Sequence, residues 1–164
     1  MLVGGVDTTQ SQLAHGLRLF ADHPDQWALL AERPELAPAA VEEVLRFEPI
    51  TPFTSRICLE DVTVRDVTFP KDSIVMVCAL TANHEEGDDF DPARQPAGRP
   101  LTFGAGVHYC LGANLARAEL EEAFRVLTSR LPGLALAGEP ELGTIQGIYG
   151  LDRLPLRWDV AAAG

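Results

Sequence analysis

The residues best suited to chemistry sit together in "FGAGVHYCLG" (103–112), where Cys110 follows two glycines and a histidine on a loop leading into a helix. A thiol can act as nucleophile, redox group or metal ligand. His108-x-Cys110 could supply two metal ligands, but the only other histidines are at 15, 23 and 84, so ligand count disfavours structural zinc. A dinucleotide loop needs G-x-G-x-x-G, and counting from Gly104 and Gly106 the sixth position is Tyr109. A phosphate loop needs G-K-[ST], which the chain lacks. Two readings stay open on these residues alone. One is a structural turn carrying a small buried cysteine. The other is a thiolate ligand: Gly104 and Gly106 would let a large planar group approach the backbone, Gly112 would permit tight packing at the helix start, and the helix N-terminus would favour negative charge on sulfur.

Bulk properties narrow the classes. The 164 residues are 46% hydrophobic and 23% charged, one domain's worth with enough apolar mass for a core. A net charge of −11 argues against a nucleic-acid partner. No run of 18 apolar residues and no basic flank of a signal peptide are found, so no membrane role and a cytoplasmic location are expected. Cys58, Cys78 and Cys110 are odd in number and lack a CxxC, which excludes a disulfide framework. Cys58 and Cys78 read as buried, inert thiols.

The elements that must position Cys110 follow from the hydrophobic period. Residues 2–21 predict a helix with Leu2, Leu13, Leu17 and Phe20 on its apolar side, despite Gly4-Gly5 near its start. "HPDQWALLAERP" (23–34) predicts a short helix between proline stops, and "ELAPAAVEEVLRFEP" (35–49) a third. "FTSRICL", "VTV", "VTF" and "SIVMVC" then change period and predict short strands and hairpins. Residues 84–102 predict a long surface loop, and 111–131 a strong amphipathic helix stopped at Pro132-Gly133. "LPLRWDV" predicts a further strand in the tail. The chain opens inside an apolar helix with no N-cap before it, so Met1 is expected to be a truncation point, the start of a short reading frame or a deliberate cut.

A cysteine on such a loop could be the proximal thiolate of haem iron. Here the pattern becomes specific. F-G-x-G-x-H-x-C-x-G, at Phe103, Gly104, Gly106, His108, Cys110 and Gly112, resembles the haem-binding signature of the cytochrome P-450 family. Glu43 and Arg46 in "EEVLR" are similar to the family's E-x-x-R helix, and Arg94 in "FDPAR" to the arginine that completes a charged triad with them. "GGVDTT" (4–9) resembles the distal oxygen-activating helix, with Asp7 and Thr8 as its acid–alcohol pair, and Arg56 with His108 matches the haem-propionate partners. Val3, Pro52, Phe53 and Ile148 fall where the family lines its substrate pocket. "NHEEGDDF" (83–90) stands where a longer N-R-D-P-type segment is expected.

The resemblance, nearest to the soluble bacterial camphor-hydroxylase-like branch, implies the C-terminal part of that fold: mainly α with small β-sheets, residues 1–164 forming one incomplete haem-binding domain. It implies a haem-thiolate monooxygenase using haem b that inserts one oxygen atom from dioxygen into a small apolar substrate. Electrons would come from NAD(P)H indirectly, through a reductase and a ferredoxin-type donor. The other reading is an inactive truncated member that binds haem or a partner without turnover. Exposure of Leu2, Val3, Leu13 and Phe53 is expected to drive self-association. From Pro92 to Ala118 the chain has no acid but carries Arg94, Arg99, Arg117 and His108, so the face around Cys110 is expected to be neutral-to-basic and to steer an acidic electron donor.

Overall fold

The computed structural model describes residues 2–95, 98–144 and 147–160, with all their side chains except those of Leu2, Val3 and Glu86. Helix α1 (Leu2–Asp22) is followed by α2 (Pro24–Glu32), a 3-10 turn at 34–36 and α3 (Ala37–Phe47). Pro24 opens α2 where its missing N–H has no intrahelical partner to lose, and Asp25 faces the positive end of the helix dipole. Next come β1 (Phe53–Ile57), β2 (Val62–Val64), β3 (Val67–Phe69), β4 (Ile74–Cys78) and a short α4 (Ala79–Asn83). After a connection containing three 3-10 turns, α5 (Ala113–Arg130) leads to β5 (Ala135–Leu136), β6 (Glu141–Leu142), β7 (Leu151–Arg153) and β8 (Leu156–Arg157). The strands form four antiparallel pairs, β1–β4, β2–β3, β5–β8 and β6–β7. The fold is mainly helical with small sheets, as the sequence predicts.

The core lies among α1, α2, α3 and α5. Phe20, Trp27, Val44, Leu45, Leu120 and Phe124 are at most 2% exposed, and the ring of Phe20 meets Trp27, Phe90 and Phe124 at centroid distances of 5.1, 5.4 and 5.3 Å. Trp27 also donates its indole N–H to the Leu131 carbonyl at 2.8 Å, which ties α2 to the end of α5. The buried residues of α1 are Gln12, His15, Gly16, Leu19, Phe20 and Ala21, so the inward face is rotated from the expected one and is partly polar. Leu13 and Leu17 lie half-buried against the core edge. Leu13 is therefore not exposed, contrary to expectation, because it packs on the core's margin.

Gly16 sets the approach of two helices. A Cβ there would stand 2.7 Å from Cζ of Phe124, closer than side chains pack. Gly4 and Gly5 have no atom within 4 Å of such a Cβ. The expected surface loop at 84–102 is anchored: Phe90 is 6% exposed and packs on Phe20, Phe47 and His23. A single aromatic anchor in an aperiodic segment leaves no period to detect. Gly16→Val should lower stability by about 1–3 kcal/mol through overpacking. Gly4→Ala should lose none, and chemical denaturation of both variants checks the contrast.

Candidate functional site

Two residues of α3, one turn apart, begin the site. Arg46 Nε donates to Glu43 Oε2 at 2.7 Å and Arg46 Nη2 to Glu43 Oε1 at 2.8 Å, a bidentate pair with side chains only 3% and 2% exposed. Arg46 Nη1 donates to the carbonyls of Asn83 (3.1 Å) and Gly87 (2.8 Å), and Nη2 to that of Asp89 (2.9 Å). A guanidinium has five N–H donors, and here each has an acceptor. Glu43 Oε1 also accepts from the Asp91 amide at 2.9 Å and from Arg94 Nε at 3.3 Å, while Arg94 Nη2 pairs with Asp89 at 2.8 Å. Glu43, Arg46 and Arg94 thus form one cluster, buried at the pair and half-exposed at Arg94.

The cluster continues into the cysteine loop through two residues the sequence reading missed. Asn83, whose carbonyl Arg46 holds, accepts at Oδ1 from the Leu101 amide (2.8 Å) and donates Nδ2 to Thr102 Oγ1 (3.1 Å). Thr102 Oγ1 in turn donates to the Leu45 carbonyl at 2.5 Å. Then the Gly104 amide donates to Leu101 O (2.8 Å), the Tyr109 amide to Gly106 O (3.0 Å) and the Cys110 amide to Phe103 O (2.9 Å). From Glu43 to Cys110 the path is unbroken. Asn83 carries a faint signal, a lone amide closing a helix just before an irregular segment.

Gly104 and Gly106 adopt φ of +71° and +67°, the left-handed region that favours glycine. Gly112 has φ −86°, and a Cβ there would stand 4.0 Å from Cys110 Sγ, so close packing does not require a glycine at that position. On the far side Arg117 pairs with Glu42, donates Nη1 to the Tyr109 hydroxyl (3.1 Å) and lies 4.6 Å from the Phe103 ring centroid. The hydrogen bond to Glu42 raises its pKa further. Arg94 and Arg117 are therefore both paired with acids from outside the acid-free stretch, so the face is less basic than a residue count implies. A groove of about 490 Å³ between Glu42, Gly98, Arg99, Tyr109, Asn114 and Arg117 opens beside it.

Cys110 is exposed, and beside it in the chain Val107 and Leu111 are 97% and 87% exposed. The buried-cysteine reading is excluded by that exposure. Among the described residues no three His, Cys, Asp or Glu side chains group to hold a metal ion. A single thiol amid apolar side chains suits an apolar cofactor ligated through sulfur.

The remaining candidates are scattered. Asp7 is exposed, and Thr8 Oγ1 donates back to the Gly4 carbonyl at 2.5 Å, so donation to a ligand needs that hydroxyl to rotate. Arg56 and His108 are exposed and not joined to each other, and Arg56 Nη1 turns to Ser55 O at 2.9 Å. Pro52 is buried, Phe53 and Ile148 are 42% and 39% exposed, and the side chain of Val3 lies outside the described set. Cys58 and Cys78 are half-buried rather than buried. Cys78 Sγ accepts from the Thr81 amide and shares a hydrogen bond with the Thr81 hydroxyl, and these contacts lower its pKa.

The cytochrome P450 family model matches residues 1–130. The chain belongs to the cytochrome P450 family. It is 43% identical to luteothin monooxygenase of Streptomyces thioluteus over 98% of this chain and 41% of that protein. It is 40% identical to vitamin D(3) 25-hydroxylase of Pseudonocardia autotrophica, over 95% of this chain and 41% of that protein. A crystal structure of P450BioI with hexadec-9Z-enoic acid ligated acyl carrier protein superposes with a TM-score of 0.90 at 34% identity, covering 96% of this chain and 42% of that one. The P450 monooxygenase TamI bound to tirandamycin C gives 0.88 at 36%, covering 96% and 41%. The chain spans about two fifths of the length of these relatives and matches the C-terminal part of the P450 fold. Among the described residues no helix is long and apolar enough to cross a membrane.

Two outcomes follow from this geometry. Glu43→Ala leaves Arg46 buried without its carboxylate and should cost about 3–5 kcal/mol, insensitive to salt. Glu122→Ala, which removes an exposed pair with Arg125, should change stability by less than about 1 kcal/mol. Urea denaturation at low and high salt checks both. His15, 0% exposed, has its pKa pushed from 6.5 to about 4, first by burial and then by Arg18. The unfolded chain therefore takes up this proton first, and stability is lost as pH falls from 6.5 through 4. The loss is on the order of 3 kcal/mol. In His15→Gln that part of the pH dependence should vanish, which paired denaturation curves would show.

Proposed function

We propose that residues 1–164 are the C-terminal portion of the haem-binding domain of a P450 monooxygenase and that Cys110 is the axial thiolate ligand of haem b. What carries the reading is the placement of one exposed thiol on a loop fixed by left-handed glycines and tied to the buried Glu43–Arg46 pair. The bound haem supplies activation of dioxygen, and the substrate is a small apolar compound that gains one oxygen atom. Arg56 and His108 would hold the two propionates, for which an arginine fork suits the carboxylate. Asp7 would pass a proton toward the distal side and Thr8 would orient it, once its hydroxyl leaves Gly4. Val3, Pro52, Phe53 and Ile148 would line the substrate side, and Phe103, Gly104, Gly106 and Gly112 would shape the loop under the porphyrin.

Electrons would reach the haem from NAD(P)H through a reductase and a ferredoxin-type donor on the side of Arg99 and the groove beside it. A second reading, a haem-binding or partner-binding module without turnover, is supported by Thr8, whose hydroxyl is engaged by the Gly4 carbonyl. Exposed Val6, Ile57, Leu59, Val107, Leu111 and Leu115 support self-association.

The haem-loaded, reduced chain under carbon monoxide should show the thiolate-type absorption band, and Cys110→Ala should abolish it. A parent-like band in the variant would overturn the assignment. Product formation with a supplied ferredoxin and reductase separates the enzyme reading from the module.

A further inference from the structure

One polar stripe of α1 takes no part in the chemistry just described. Ser11, His15 and Arg18 are spaced i, i+4 and i+7, with Gln12 beside them, so they share one side of the helix. Gln12 Nε2 donates to the Glu48 carbonyl at 2.9 Å, and Arg18 Nη2 pairs with the Glu48 carboxylate at 2.5 Å. His15 Nε2 donates to the Tyr149 carbonyl at 3.0 Å, and its ring stands 4.8 Å from that of Tyr149. The Tyr149 amide then donates to Ile50 O at 2.7 Å. A Cβ on Gly150 would be 3.3 Å from Ser11 Oγ, so the backbone there lies close against the helix. Segments 48–50 and 149–150 are thus joined to each other and to α1. The first leads through Thr51 into Pro52 and Phe53, and the second directly follows Ile148.

His15 is an unusual choice for mere packing. A carbonyl only accepts, so Nε2 must carry the proton, which leaves Nδ1 as a buried acceptor without a partner among the described residues. An apolar side chain would fill the space and avoid that cost. What the imidazole adds is a bond of fixed direction to one backbone atom of the tail.

We propose that His15 is a positioning residue: its bond and ring contact with Tyr149 set the placement of Ile148 relative to the Asp7–Thr8 turn of the same helix, and thereby select among apolar substrates by size. The selection step rests on the haem-thiolate reading, in which Ile148 lines the pocket. His15→Leu removes the donor and keeps bulk, whereas His15→Gln keeps a donor of similar reach.

The experiment has two arms on the full chain. Amide hydrogen exchange at Tyr149, whose N–H donates to Ile50 O, measured without haem, should be at least ~10-fold faster in His15→Leu, with Phe20 and Phe124 unchanged and His15→Gln close to the parent. In haem-loaded protein, the ratio of dissociation constants for cyclohexanol and adamantanol, read from the shift of the haem absorption band, should change at least ~5-fold in His15→Leu. His15→Gln should restore that ratio. In an Ile148→Ala background the His15 substitution should no longer alter it, a non-additivity that a purely structural role would not produce. His15→Asn, too short to reach Tyr149 O, repeats both arms if His15→Leu does not fold. Unchanged exchange at Tyr149 overturns the proposal, and so does faster exchange with an unchanged ratio. A parent without the thiolate-type carbon monoxide band overturns the haem reading and the selection step with it, while the exchange arm still judges the clamp by itself.

Discussion

Everything around the candidate site depends on one buried guanidinium. Arg46 places all five N–H donors on protein acceptors, two on Glu43 and three on backbone carbonyls of the 83–89 connection. Burying an isolated arginine is prohibitive, so each acceptor must be in place for the charge to be tolerated. That requirement converts an irregular segment, with no ladder of its own, into a defined one. Its three carbonyls cannot drift without stranding a charge. The same segment then hands its order to Leu101 and Thr102 through Asn83, and so to the turn that presents Cys110.

Arg117 braces the loop from the opposite side by a different kind of contact. It combines an ion pair to α3 with stacking over Phe103 and a bond to Tyr109. Both braces start from adjacent residues of one helix, Glu42 and Glu43, whose side chains leave α3 in different directions. The loop is therefore referenced to α3 twice. Its exposed thiol is held by its surroundings even though the thiol itself is not buried.

Legibility in the sequence followed the physics of each signal. Periodic signals located α1, α3 and α5 within a few residues, because burial of one face imposes a period that composition records, while short runs of β-branched residues marked the strands β1 to β4. The loop glycines at 104 and 106 were legible because left-handed backbone restricts residue type. Gly112 carried the same letter without the same reason. Partners of single atoms were not legible. Asn83, Thr102 and the anchor Phe90 act through one contact each, and nothing in their spacing records it. The inward face of α1 was misread because Gln12 and His15 are polar, although with Gly16, Leu19 and Phe20 they complete an i, i+3, i+4, i+7, i+8 pattern. The acid-free stretch misled for the converse reason: its arginines find their acids elsewhere in the chain.

Site-resolved hydrogen exchange in Arg46→Lys tests most directly whether this guanidinium organises the cysteine loop. Lysine keeps the charge but has three donors from one atom and cannot reproduce the fork. The account predicts that the amides of Asp91, Leu101 and Cys110 lose protection together, while the amides of Phe20 and Trp27 in the helical core keep theirs. Loss of protection at Asp91 with Cys110 still protected as in the parent would show that the loop holds its shape without Arg46, and would contradict the account.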